Sequence, residues 1–198
     1  MPESQDARTE LSELRSEVER LAAELTAMRA HAARLESLAQ EDPLTGLLNR
    51  RGFFRELARA IAYHARYGTP IGLLFADLDG FKTINDEHGH EAGDRALVHI
   101  ATLLRNNMRA SDSVGRLGGD EFAVIIWQVA DETARQKAIS LEVMISASPI
   151  LEGDLPLPLA CSIGATLLEP GDSVEEALAR ADRAMFERKI AAKRQATR

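Results

Sequence analysis

Two acidic points on this chain sit where chemistry with phosphates and metal ions is feasible. Asp77 directly follows the apolar run Ile71-Gly72-Leu73-Leu74-Phe75-Ala76. A carboxylate at the end of a buried strand is costly unless it is solvated, paired or bound to a metal. Asp120 and Glu121 stand at a turn, in Arg116-Leu117-Gly118-Gly119-Asp120-Glu121-Phe122. The paired glycines permit positive φ and let a ligand approach the backbone closely. If the apolar run and this hairpin are neighbouring strands, Asp77 and Asp120 converge at one end of a sheet. Carboxylates so placed suit Mg2+ (or Mn2+), which takes one or two of them and completes its shell with water and phosphate oxygens. An acidic turn is otherwise simply solvated, and the residues alone leave both readings open.

The pattern around these points predicts the elements that position them. Asn49 is placed to cap a helix to about Tyr67, with Phe53, Leu57 and Ile61 on one face, ended by Gly68-Thr69-Pro70. The run from Ile71 reads as a buried strand. Helical patterns follow at about 80–86 and 92–108. Strands near 113–117 and 121–127 flank the Gly-Gly turn as a hairpin. A helix near 131–147, a strand near 158–168 and a helix near 174–192 complete the chain. The order βαββαβ predicts an α+β fold, a mostly antiparallel sheet with flanking helices.

Residues 10–38 read differently. Leu11, Val18, Leu25 and Ala32 fall on heptad position a, and Leu14, Leu21, Met28 and Leu35 on position d. A narrow a/d seam predicts a coiled coil, and four heptads span roughly 42 Å. A single amphipathic helix lying on its own domain is the alternative. Leu38 breaks the phase and Pro43 ends the helix. We divide the chain into a stalk, 1–41, and a globular domain, 42–198.

Bulk composition narrows the function. Hydrophobic residues make up 45% and charged residues 28%, which is globular and not disordered. Against 24 Lys and Arg stand 31 Asp and Glu, a net charge of −7. No global basic field exists for nucleic acid, and a nucleotide substrate needs local cations or metal. The single cysteine, Cys161, excludes an intrachain disulfide and reads as a small buried residue in Leu159-Ala160-Cys161-Ser162-Ile163. The charged first twenty residues lack the apolar core of a signal peptide, and no run is long enough to span a membrane. A cytoplasmic location is therefore expected.

Gly118-Gly119-Asp120-Glu121-Phe122 spells GGDEF, the signature of the diguanylate cyclase family, and the resemblance extends from Asp42 to about Arg194. Asp42-Pro43-Leu44-Thr45-Gly46-Leu47-Leu48-Asn49-Arg50 resembles that family's opening motif. Asp77-Leu78-Asp79-Gly80-Phe81-Lys82-Thr83-Ile84-Asn85-Asp86, with His88-Gly89-His90 and Gly93-Asp94, resembles its metal and nucleotide segment. Ser162-Ile163-Gly164 and Ala181-Asp182 resemble its late strand and last helix. The resemblance implies a nucleotide-cyclase-like core and the condensation of two GTP molecules into cyclic di-GMP.

Residue roles follow as implications of that resemblance. Asp77, the Leu78 carbonyl, Asp120 and Glu121 would hold the metal, and Asp120 is the candidate acceptor of the hydroxyl proton. Lys82 would neutralise phosphate charge. Asn85 and Asp94 would read the guanine edge, with His90 lining that pocket. Lys189 would bind phosphate. Lys193 stands where an Arg is usual and Ala192 where a Gly is usual, so a charge is kept but the bidentate fork is lost. Phe186 stands at a position more often Tyr. Arg109-Ala110-Ser111-Asp112, separated from Gly118 by five residues, matches the RxxD product-binding motif, although an i, i+3 pair of this kind also serves as a surface ion pair. The family often adds an arginine where this chain has Ser140. One such site binds one GTP, so two domains would meet about a two-fold axis as a homodimer tethered by the stalk. Two rival readings are a catalytically inert sensor of cyclic di-GMP and a coiled-coil scaffold, and release of pyrophosphate from GTP separates the enzyme from both.

Overall fold

Because Ile71 through Ala76 are apolar at every position but glycine, they bury on both faces, and the strand they form sits between two others in the sheet. The structure, a computed structural model, describes residues 15–29, 35, 40–152 and 155–196, with Glu152 and 192–196 described by backbone alone. It divides into two units, Met1–Ala39 and Gln40–Arg198.

In the first unit, α1 (15–29) is helical. Its apolar residues Val18, Leu21, Leu25 and Met28 are exposed. Arg20 pairs with Glu17 and Glu24 at 2.6 Å each, surface pairs worth little individually. Of the remaining heptad positions, Leu11, Leu14 and Ala32 lie outside the described residues. No described helix is long and apolar enough to cross a membrane.

The second unit contains β1 (Leu48–Asn49), α2 (Arg50–Tyr67), β2 (Ile71–Leu78), α3 (Phe81–Asn106), β3 (Ser113–Arg116) and β4 (Glu121–Trp127). After these come α4 (Asp131–Ser146), β5 (Ile150–Glu152), β6 (Leu155–Leu157), β7 (Cys161–Leu167) and α5 (Val174–Ala196). Five strands form one sheet in the order β1-β3-β4-β2-β7, and β5 pairs with β6 separately. Only β1–β3 is parallel; every other pair is antiparallel. The βαββαβ core is therefore present as β2-α3-β3-β4-α4-β7.

Alternation along β2 divides the core in two. Leu74, Ala76 and Leu78 pack with Leu97, Ile100 and Leu104 of α3 and with Ala138, Leu141 and Ile145 of α4. Ile71, Leu73 and Phe75 pack with Phe53 and Leu57 of α2 and with Ala177, Ala181 and Met185 of α5. Helices thus cover both faces of the sheet.

Local chemistry sets the boundaries. Asn49 Oδ1 accepts from Gly52 N at 2.9 Å to cap α2, and left-handed Gly68 closes it. Gly89, at φ 81°, breaks α3 between the two helical patterns read from sequence. Three features differ from expectation. The two-residue β1 is too short for any periodicity to betray it. Leu155-Pro156-Leu157 forms half of a small hairpin, although proline argues against strand. The last strand opens at Cys161 and not at 158, where Pro158 has no N–H to give a ladder.

Candidate active site

The central carboxylate lies inside its strand, not after it: Asp77 is the seventh of the eight residues of β2. Ladder register sets it opposite Glu121 on β4 and opposite Ser162 on β7. By alternation it shares the face of Leu73 and Phe75, which looks towards α2 and α5. Leu78 N donates to the Asp120 carbonyl at 3.2 Å, so the turn lies alongside the end of β2. Asp77, Leu78, Asp120 and Glu121 are thereby brought to one end of the sheet, as the hairpin expectation required.

The two glycines of the turn serve different ends. A Cβ on Gly118 would lie 2.5 Å from Glu121 Oε2, so the Glu121 carboxylate folds over that glycine. Nothing lies within 4 Å of where a Cβ on Gly119 would point, which leaves the turn open on that side. Arg116 holds the turn in shape, donating to the Gly119 carbonyl from Nη2 at 2.7 Å and from Nε at 3.1 Å. Its Nη1 reaches Asp42 at 3.3 Å, and Asp42 also accepts from Thr45 N and Oγ1.

A cation arrives from the last helix. Gly164 of β7 lets α5 lie directly on the strand, where a Cβ would sit 2.1 Å from Met185 N and 2.5 Å from the Ala181 carbonyl. Ala181, Met185 and Lys189 recur every fourth residue and share that helix face. Lys189 Nζ meets Asp77 Oδ1 and lies 3.0 Å from Asp79 Oδ1. Burial opposes the ammonium's charge, but hydrogen bonds to Asp77 and Asp79 outweigh it and raise the pKa above its ordinary value. Asp79 Oδ2 accepts from the buried Ser162 hydroxyl at 2.9 Å. The buried Cys161 thiol is pushed up by burial and then by Asp79, Asp77 and Glu142, so it stays neutral.

The other expected site residues lie on α3 and α5. Lys82 is exposed in the first turn of α3. Lys193 lies on α5 within the part described by backbone alone. Asn85 and Asp94 stand on either side of the Gly89 break. A Cβ on Gly93 would come 2.0 Å from Asn85 Oδ1, so the carboxamide packs against the residue preceding Asp94. Asp94 and His90 are exposed.

Arg109 and Asp112 lie in the turn between α3 and β3, lining with Arg105 a cavity of about 380 Å³. The surface ion pair is not what forms. Instead Asp112 accepts from the Arg109 backbone N at 2.9 Å and from Trp127 N at 3.1 Å, while Arg109 is exposed.

Among the described residues no three His, Cys, Asp or Glu side chains converge as a ready-made metal cage. The donors at hand are all oxygen: the Asp77, Asp120 and Glu121 carboxylates and the Leu78 carbonyl. Such a set fits Mg2+ or Mn2+, held by one or two carboxylates and completed by phosphate oxygens. Sequence reasoning missed the roles of Asp79, Ser162, Asp42 and Arg116. For Asp79 a signal existed, since it lies two residues beyond Asp77.

The family model described as diguanylate cyclase, GGDEF domain, matches residues 39–195. Diguanylate cyclase DgcP of Pseudomonas aeruginosa is 35% identical over 94% of this chain, and diguanylate cyclase TpbB of the same species is 37% identical over 94%. The chain spans 28% of the first and 43% of the second. The coiled coil and GGDEF domain of DgcB from Caulobacter crescentus, solved in complex with c-di-GMP, is similar with a TM-score of 0.73 at 29% identity, covering 90% of this chain and 95% of that one. An acidic hairpin set against a buried strand, a lysine laid across it from the last helix and a match over residues 39–195 agree: the chain belongs to the GGDEF domain family of diguanylate cyclases.

Proposed function

We propose that this chain is a diguanylate cyclase that condenses two GTP molecules into cyclic di-GMP and releases two pyrophosphates. The observation that carries the reading is the register of Asp77 opposite Glu121, with Lys189 laid against Asp77. In the reaction a ribose 3′-hydroxyl attacks the α-phosphate of a second GTP, and pyrophosphate leaves. Phosphoryl transfer asks the protein mainly for positioning and charge neutralisation. Asp77, Asp120, Glu121 and the Leu78 carbonyl would hold Mg2+ or Mn2+, which when bound would neutralise phosphate charge. Lys82, Lys189 and Lys193 supply further positive charge. Asn85 and Asp94 hold guanine, with His90 beside them; a carboxylate accepts from guanine N1–H and the 2-amino group, a donor pair adenine lacks. Asp120 takes the proton of the attacking hydroxyl.

Each domain binds one GTP, so two copies face each other about a two-fold axis. The exposed apolar stripe of α1 supports a parallel coiled coil that tethers them, making the encounter intramolecular. Product binding at Arg109 and Asp112 regulates the enzyme; the DgcB domain, solved with c-di-GMP, supports product binding by this fold.

The test is metal-dependent pyrophosphate release from GTP by the wild type and by Asp77→Asn. Activity falls by orders of magnitude in the variant while circular dichroism is unchanged. Equal rates in the two would remove Asp77 from the metal site.

A further inference from the structure

Strand β7 is the last in the sheet, with β2 on one side and no strand on the other. Its outward Ile163 N–H is met by a side chain: Glu142 of α4 accepts it through Oε1 at 2.8 Å. The same Oε1 accepts from Arg188 Nε at 3.1 Å, and Oε2 is bound by Arg188 Nη2. One half-buried carboxylate therefore pins a strand and a helix together. An edge N–H is satisfied by a single water, so covering the edge does not by itself call for a charged, forked clamp.

The neighbours of the two pinned residues give the clamp a purpose. Ser162, beside Ile163, donates to Asp79 and stands opposite Asp77. Lys189, beside Arg188, reaches both Asp77 and Asp79. Successive residues on a helix are about 100° apart around its axis, so fixing Arg188 fixes the direction in which Lys189 leaves α5. Gly164 lets α5 lie close on the sheet, and the Glu142–Arg188 fork ties that helix to α4.

We propose that Glu142 is a positioning residue: through Arg188 it aims Lys189 at the Asp77–Asp79 locus, and through Ile163 it keeps Ser162 on Asp79. The inference rests on the reading above that Lys189 serves the phosphates of GTP. On this proposal Glu142 acts through Arg188 and Ile163 rather than by holding substrate or metal itself.

A double-mutant comparison on the full chain tests it, using KM for GTP and Kd for a non-hydrolysable GTP analogue. Glu142→Gln keeps the shape and an acceptor for Ile163 N but removes the charge that holds the fork. It is expected to weaken both constants about tenfold. Arg188→Lys keeps the charge, loses the fork and should match it, which covers the case in which Glu142→Gln folds poorly. Lys189→Ala weakens both constants at least as much. In the Lys189→Ala background Glu142→Gln should add less than about twofold. Full multiplication of the two effects, or unchanged constants in Glu142→Gln and Arg188→Lys, overturns the proposal. Unchanged constants in Lys189→Ala would instead show that Lys189 does not serve the phosphates, which removes the reading beneath the proposal as well.

Discussion

Arg116 joins the GGDEF turn to the entrance of the domain: its Nη1 lies 3.3 Å from Asp42 across 74 residues of sequence, while Nη2 and Nε hold the Gly119 carbonyl. Both side chains are largely buried, at 15% and 17% exposure, so the pair is poorly screened. Arg116→Ala is expected to cost about 1–3 kcal/mol of stability and to lower turnover more than that loss alone explains. Thermal melting beside initial rates checks both. Unaltered turnover in a folded variant would mean that the turn keeps its shape without Arg116.

The same pair gives a pH dependence. Burial opposes the charge of Asp42, but the Thr45 hydroxyl and amide and Arg116 outweigh it and hold the carboxyl below its usual range. A group depressed in the folded state stabilises above its unfolded value, near 3.9, and that contribution is lost as pH falls through the folded value. Asp42→Asn should therefore melt below the wild type at pH 7, with the gap closing below about pH 4. A gap that persists unchanged in acid would assign the effect to lost packing.

Base selectivity is tested at two neighbouring residues. Asp94→Ser should relax the preference for GTP over ATP by ~2–3 kcal/mol in kcat/KM, because a carboxylate partner of guanine is lost. Gly93→Ala places a methyl 2.0 Å from Asn85 Oδ1 and should relax the same ratio by displacing the carboxamide. An unchanged ratio in both variants would show that guanine is read elsewhere.

Much of this arrangement was legible in the sequence because it is local. The apolar run of β2, the Gly-Gly turn, the Asn49 cap and the gap between the two helical patterns of α3 each follow from neighbouring residues. That Asp77 and the acidic turn converge followed from treating the hairpin as a neighbour of β2. The contacts that order the site were not legible, because they join residues far apart. Lys189 and Asp77 are 112 positions apart, and Ser162 and Asp79 are 83. No spacing rule links Glu142 to Ile163; the contact exists because β7 lies at the sheet edge under α4.

Regulation by product is tested most cleanly at Arg109. Asp112 already holds the Arg109 and Trp127 backbone amides, so replacing it also disturbs the turn. Arg109 is exposed and its guanidinium offers a planar fork to guanine and phosphate oxygens. Cyclic di-GMP should inhibit the wild type and inhibit Arg109→Ala markedly less, at similar uninhibited rates. Ser140 stands where the family often has an arginine, so affinity for the product should be lower than is usual in the family. Equal inhibition of both proteins would point to competition at the substrate pocket.

The stalk should make the dimer. Removal of residues 1–38 is expected to give a monomer at micromolar concentration, with specific activity rising with protein concentration. Sedimentation and rate measurements decide; a truncated protein equally dimeric and active would confine the stalk to another role.

The most direct measurement incubates the full chain with GTP and Mg2+, identifies the nucleotide product by mass and counts the pyrophosphate released. Cyclic di-GMP should form with two pyrophosphates for each molecule of product, and none should form when the metal is chelated. GDP with orthophosphate, or GTP recovered unchanged beside folded protein, would contradict a cyclase.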